Sequence, residues 1–566
     1  MSHILYFLLF SVSVFAQVDY PKDYFRSPLD IPLQLSGNFG ELRSNHFHAG
    51  FDFRTQQKEG LNVYAAADGY VSRIKISTYG YGKAIYITHP NGYTSVYGHL
   101  RNGSPIMETY IKANQYKNES FEIEVFPTPN ELPVKKGELI AFSGNTGGSE
   151  GPHLHFEIRD SKTENIINPL LFGLGSLLPD SKKPVITNLV VYPIDENSVV
   201  NKSAAPFLID LKSTADGTYV ADKIQAFGKI GFGINAYDSD SNSLNRNGVF
   251  GVSSYLNGNM SFDYKFTTFH FDETRYVNAL IDYDRFKRTG QRVQQLFMLN
   301  KYNLSIINAD ANNGIVTVTP NTTHVYRIEV TDFNQNKSTV SVPIEYSAAQ
   351  AITPMVIAKT PFFLDVKKDH NYEKENISVF FPAGTFYDDL YLDFDVKDNT
   401  LFLNNKNVPV HSGYTVSIAD ASVSEADRKK TFVATLSNGK PTGWNFTYYK
   451  DGVFSAKVKA LGQFALAKDT TPPTISIAKS IENKWLSSQR TLQLFIRDNL
   501  SGIKEYKCYL NGKYAMFEWD YKSRKITHNF DDNIVSEGRN DLKVVLTDNA
   551  GNSAIFETYF FRSQKQ

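Results

Sequence analysis

Lys83-Ala84-Ile85-Tyr86-Ile87-Thr88 reads as a β-strand and Tyr93-Thr94-Ser95-Val96-Tyr97 as its return, with Asn91-Gly92 between them. Asn-Gly between two strand-like runs is a strong hairpin signal, because a tight turn needs residues that tolerate positive φ. Upstream, Val71-Ser72-Arg73-Ile74-Lys75-Ile76 alternates apolar and polar side chains in the same way, as a half-buried strand does. No long helical period appears between residues 28 and 175. These runs predict an antiparallel β-domain near the N-terminus.

The chain has 566 residues, too many for one core, and its length suggests about three to five domains. Aromatic residues make up 14% of it, which favours pleated, half-buried surfaces and hence more β-structure. Lys+Arg and Asp+Glu are equal at 59 each, so net charge gives no argument for nucleic acid or a membrane surface. The single cysteine, Cys508, excludes an internal disulfide and a thiolate zinc cluster. It lies in a strand-like run and reads as a small core residue.

Ile4 to Ala16 is apolar apart from two serines, with Val14 and Ala16 placed as a signal peptidase would need them. This run is too short to span a membrane and reads as a cleaved leader over residues 1–16, although no Lys or Arg precedes it. No cysteine follows it and no later apolar run is long enough for a span. The expectation is an exported protein without a membrane span, periplasmic or extracellular and associated with the cell envelope.

After Pro184, short strands recur between Asn, Asp and Gly turns, as in β-sandwiches. A weak repeat runs Ala236-Tyr237-Asp238, Tyr255-Leu256-Asn257-Gly258, Val330-Thr331-Asp332 with Asn336, and again Ile496-Arg497-Asp498, Tyr509-Leu510-Asn511-Gly512, Leu546-Thr547-Asp548 with Asn552. It predicts two immunoglobulin-like sandwiches, at 184–347 and 473–562, with a further β-domain at 355–468 and a stiff linker at Asp469-Thr470-Thr471-Pro472-Pro473. Asp238-Ser239-Asp240 lacks the Gly-x5-Glu completion of a calcium loop and reads as a solvated turn. Residues 101–133 are polar and without a motif, and read as an insertion, either a lid or a surface excursion.

Six of the twelve histidines fall between residues 46 and 155. His48-Ala49-Gly50-Phe51-Asp52 is an H-x-x-x-D, His153-Leu154-His155 an H-x-H, and Tyr97-Gly98-His99-Leu100 lies between. Alternate residues of a strand share a face, so His153 and His155 point the same way, as do His48 and Asp52 if extended. Two imidazoles and one carboxylate suit zinc better than calcium or magnesium, and a catalytic zinc site keeps one position open. His46 is a weaker candidate, His89 before Pro90 reads as structural, and Gly147, Gly148 and Gly151 serve either a substrate groove or plain turns.

These segments, with Ala65-Ala66-Ala67-Asp68-Gly69-Tyr70-Val71, Gly82-Lys83, Val134-Lys135-Lys136-Gly137-Glu138-Leu139-Ile140 and Gly144-Asn145-Thr146-Gly147 through Gly151-Pro152-His153-Leu154-His155-Phe156-Glu157, resemble the lysostaphin/LytM-type zinc metalloendopeptidases over about residues 40–160. The resemblance implies His48, Asp52 and His155 as zinc ligands and His99 and His153 as catalytic histidines. It implies peptidoglycan peptides as substrate. The expected architecture is then all-β: a peptidase domain over 17–175, followed by about three β-sandwich domains that position it against envelope proteins. The alternatives are a non-hydrolytic envelope scaffold or activator and an endopeptidase for protein substrates.

Overall fold

The structure, a computed structural model, describes residues 19–214, 216–241, 245–349 and 359–563. The leader expected at 1–16 lies outside them. The hairpin reading holds: Lys83–Thr88 and Tyr93–Leu100 pair antiparallel with Thr88 opposite Thr94, and Gly92 turns the chain at φ +87°. Around it an antiparallel sheet runs, in spatial order, Leu35–Gly37, Phe51–Arg54, His153–Asp160, Tyr93–Leu100, Lys83–Thr88, Gly69–Ile76 and Ile123–Val125.

The strand period sorts His153–Asp160 into two faces. Leu154, Phe156 and Ile158 are fully buried and join Phe51, Phe53 and Tyr97 in one core, each such side chain stabilising by about 1.5–3 kcal/mol. His153, His155, Glu157 and Arg159 are left for the opposite face.

Residues 101–133 are more ordered than their sequence suggests. A helix, Pro105–Lys117, opens with proline in its first turn and buries Met107, Ile111 and Gln115. Proline suits that position, since its missing N–H would find no helical partner there. Ile123–Val125 and Pro133–Val134 then both pair with Gly69–Ile76. The helix escaped the sequence reading because its buried stripe is three residues at i, i+4 and i+8, one of them polar, too narrow to register as amphipathic.

Beyond residue 184 the chain is again strands. Ile224–Tyr237, fourteen residues long, pairs with Val185–Pro193 along one part and with Lys337–Tyr346 along another. Its core is continuous with that of the N-terminal sheet, and Ile166–Ile167 pairs directly with Thr268–Phe269. Residues 363–468 form two five-stranded sheets and a two-stranded one, and 474–562 two four-stranded sheets, with one core in each region. Cys508 is buried in the last of these cores. The fold is mostly β throughout, and no helix of the described residues is long and apolar enough to cross a membrane.

Candidate metal centre

Strand register brings the first two donors together. Asp52 lies directly opposite His155 across the antiparallel pair Phe51–Arg54 and His153–Asp160, and such partners project from one face. Asp52 Oδ1 is 2.9 Å from His155 Nδ1 and 3.1 Å from His48 Nε2, and the two nitrogens are 3.2 Å apart. All three residues are buried. Tetrahedral ligands at about 2.0 Å from one ion stand about 3.3 Å from each other, so this triangle has the dimensions of a zinc face.

The outward atoms of each ring fix which atom faces inward. His48 Nδ1 donates to the Asn38 carbonyl at 2.8 Å, which leaves the Nε2 lone pair toward Asp52. His155 Nε2 donates to Glu157 Oε1 at 2.8 Å, which leaves Nδ1. Arg43 Nη2 holds Asp52 Oδ2 at 2.9 Å and frees Oδ1. Metal-binding histidines characteristically have their second nitrogen engaged in this way. The donor set therefore fits a metal on this structure's own evidence.

Glu157 is fully buried, and takes hydrogen bonds from His155, from Arg159 Nε at 2.7 Å and from the Tyr81 hydroxyl. Burial opposes its charge, but Arg159 and His155 hold its carboxyl down at about 2. Burial likewise opposes a charge on His155, yet Asp52 and Glu157 push it up to about 9 in the metal-free chain. Asp52 is held well below the usual carboxylate range by His48, His153 and His155 despite its burial.

His99 and His153 flank the triangle. By alternation His99 should share the core face with Tyr97, since Gly98 is the residue opposite His155. Instead His99 takes φ +57°, a left-handed conformation uncommon for any residue but glycine, and its ring lies 4.7 Å from that of His153 and 5.9 Å from that of His155. Its Nδ1 donates to the Thr146 carbonyl at 2.8 Å. Burial, then the charges of His155 and His153, lower it to about 3, so it is neutral at ordinary pH. His153 Nδ1 donates to the Gly151 carbonyl at 2.8 Å, and its Nε2 lies 3.4 Å from Asp52 Oδ1. Gly98 leaves room for this arrangement: a Cβ there would sit 3.3 Å from that of His155.

His48, Asp52, His99, His153 and His155 thus meet in one place. His46 is exposed and outside the triangle. His89 is buried between the Asp68 carbonyl and Ser95 Oγ, both at 2.8 Å. Gly147 does turn duty, at φ +69° with a Cβ position 2.3 Å from the Gly82 nitrogen. Asn38, Arg43 and Tyr81 carried no sequence signal. Glu157 and Arg159 did, because strand alternation puts them on the face of His153 and His155.

The last sandwich reaches the rim of this site. Lys522 Nζ donates to the carbonyls of Asn145 and Ser149 at 2.5 and 3.0 Å, Glu518 pairs with Lys83 at 2.8 Å, and Tyr521 packs 4.7 Å from Tyr79. Asp532 bonds Lys112 and Tyr116 of the inserted helix.

Residues 46–116 and 126–169 match the sequence model of Peptidase family M23, and residues 362–469 that of a Zu5-like domain. An uncharacterized metalloprotease of Haemophilus influenzae is 34% identical over 159 residues, covering 27% of this chain and 28% of that protein. The DD-carboxypeptidase/endopeptidase Mpg of Neisseria meningitidis serogroup B is 35% identical over 118 residues, 21% of each chain. Peptidoglycan DD-endopeptidase ShyC of Vibrio cholerae is 30% identical over 142 residues, 24% of this chain and 27% of that one. The similarity thus spans about a quarter of each relative's length and falls on the stretch that carries the histidines. Residues 46–116 and 126–169 thus match Peptidase family M23, in keeping with the resemblance of the histidine motifs to the lysostaphin/LytM type.

Proposed function

We propose that the chain is an exported zinc-dependent metalloendopeptidase that hydrolyses peptide bonds in peptidoglycan cross-links or stem peptides. The convergence of His48 Nε2, Asp52 Oδ1 and His155 Nδ1 within 3.2 Å of one another, with two further histidines beside them, carries this reading. The substrate class is supported by relatives named as peptidoglycan DD-endopeptidases.

Zinc held by His48, Asp52 and His155 would supply Lewis acidity, activating water and polarising the scissile carbonyl. The residues around it have separable tasks. Glu157 and Asn38 hold the two ligand imidazoles in their working tautomers, and Arg43 orients Asp52. His99, neutral and with Nδ1 engaged, presents its Nε2 lone pair as a proton acceptor. His153 presents Nε2 from the neighbouring strand, beside the same space. The C-terminal β-domains would bring the site to envelope proteins or to the wall.

Digestion of purified peptidoglycan by the zinc-loaded chain, with mass analysis of the soluble products, tests this. Fragments cut at peptide bonds, and none from a chelator-treated sample, are expected. Absence of fragments while a protein or glycine-rich peptide is cut would give the activity a different substrate. Absence of any cleavage would leave the domain as a scaffold.

A further inference from the structure

Two carboxylate triads outside the histidine site have the same construction. In the first, Asp180 lies in the segment entering the sandwich, Asp238 directly follows strand Ile224–Tyr237, and Asp332 directly follows strand Thr323–Thr331. In the second, Asp469 lies in the linker, Asp498 directly follows Thr491–Arg497, and Asp548 ends Gly538–Asp548. In each triad one carboxylate oxygen per residue lies within 4.8 Å of the other two.

The framing repeats atom by atom. Asn336 donates its backbone N–H to Asp332 Oδ1 at 2.7 Å and its amide to Oδ2 at 2.6 Å; Asn552 does the same to Asp548, both at 2.8 Å. The same two amides reach back to the linker carbonyls of Asp180 and Asp469, at 3.4 and 3.0 Å. The sequence repeat therefore marks a shared local structure.

Unpaired buried oxygens point to a ligand. Asp238 is only 8% exposed, yet its Oδ1 has no hydrogen-bond partner. Asn247, whose backbone pairs with Asp238, is 3% exposed and its Oδ1 is unpartnered too. In the second triad Asp498 is half-buried and its Oδ1 is unpartnered, and Ser501, 3% exposed and donating its backbone N–H to Asp469 Oδ2 at 3.0 Å, has an unpartnered Oγ. Leaving such atoms unmatched costs about 1–3 kcal/mol each, more when charged. Asp180, Asp238, Asp240 and Asp332 line a cavity of about 50 Å³, which has room for an ion and a water.

We propose that each triad binds one calcium ion, through Asp180, Asp238 and Asp332 in one case and Asp469, Asp498 and Asp548 in the other, and that the ion fastens the incoming linker to its sandwich. The donors are all oxygen, which selects a hard cation over zinc, and calcium accepts six to eight oxygens in irregular geometry where magnesium demands a near-ideal octahedron. Backbone carbonyls and water complete the shell. Burial and the neighbouring charges of Asp180, Asp332 and Asp240 push the Asp238 carboxyl up to about 7 in the metal-free chain. The first site also adjoins the histidine centre, since Asn38 exchanges hydrogen bonds with Gly248 at 2.7 and 2.9 Å and gives its carbonyl to His48.

The test is calorimetric titration of calcium into the full chain, stripped with chelator and reloaded with one equivalent of zinc. Two calcium ions per chain are expected, with dissociation constants no weaker than about 1 mM. The pair Asp238→Asn with Asp332→Asn should leave one, as should Asp498→Asn with Asp548→Asn, and all four changes none. Asn relieves repulsion between the carboxylates, so each variant should melt no lower than wild type without calcium and should lose the calcium-induced rise in Tm. Loss of uptake in only one pair would confirm that site and overturn the other. No uptake by wild type, or equal uptake by the fourfold variant, would overturn both.

Discussion

The histidine triangle and the aspartate triads are built in contrasting ways. The triangle takes its geometry from strand register, with Asp52 opposite His155, and every non-ligating nitrogen is tied to Asn38 or Glu157. The triads take theirs from strand ends and linkers, and they leave buried oxygens unmatched. Yet without a metal the triangle and the first triad share one property. His155 stands at about 9 against an ordinary 6.5, and Asp238 at about 7 against 3.8. Each site then holds a proton that the unfolded chain would release, in the place where a cation fits. The ligand type separates the cations: imidazole with one carboxylate for zinc, carboxylates alone for calcium.

The largest effect expected to test this contrast is from His155→Ala. It removes a zinc ligand and should lower peptide-bond hydrolysis at least about 10³-fold, since zinc supplies several kcal/mol to the transition state. It should leave calcium uptake unchanged, as measured on the same preparation. Glu157→Gln should cost less, about 10–100-fold in zinc affinity, because it weakens the partner that orients His155 without removing a ligand. Competition with a chromophoric chelator reads this directly.

Proton linkage sharpens the comparison. Zinc must displace the His155 proton, so zinc affinity should fall about tenfold per pH unit below pH 9 on that group's account. Without metal, His155 contributes stability that is complete below about pH 6.5 and is lost as pH rises through about 9. Asp238, raised in the same sense, contributes stability that is complete below about pH 4 and lost by about pH 7, at no more than about 1.4 kcal/mol per pH unit. Asp180, Asp240 and Asp332 act on it, the last itself raised to about 6 chiefly by burial. Metal-free melting temperatures should therefore fall across both windows, and Asp238→Asn should flatten only the lower one.

The smallest effect is expected at the rim. Glu518→Ala breaks the pair with Lys83, in which the glutamate side chain is 42% exposed. It should change stability by no more than about 1 kcal/mol, as read by denaturant titration.

The sequence disclosed the triangle more readily than the triads, for a physical reason. Asp52, His153 and His155 lie on strands, where a period of two turns spacing into shared faces; His48 lies outside them, in the segment that leads into Phe51–Arg54. The same rule extends to Glu157. It fails at His99, whose left-handed backbone breaks the pleat, and no pattern announces Arg43 or Asn38, which arrive from loops. Asp238-Ser239-Asp240 read as a solvated turn because its partners, Asp180 and Asp332, are distant in sequence and meet it only through the linker and a later strand. The Asn-Gly turns of the repeat were legible, and Asn257 and Asn511 both take φ +51°. The helix Pro105–Lys117 was not, since tertiary contact at three positions holds it in place.

The most direct test of the central claim is to measure zinc content and peptidoglycan cleavage together, on the full chain and on His155→Ala. One zinc per wild-type chain with release of peptide-cleaved fragments, and neither in the variant, is the predicted result. Fragment release by a variant that holds no zinc would contradict it.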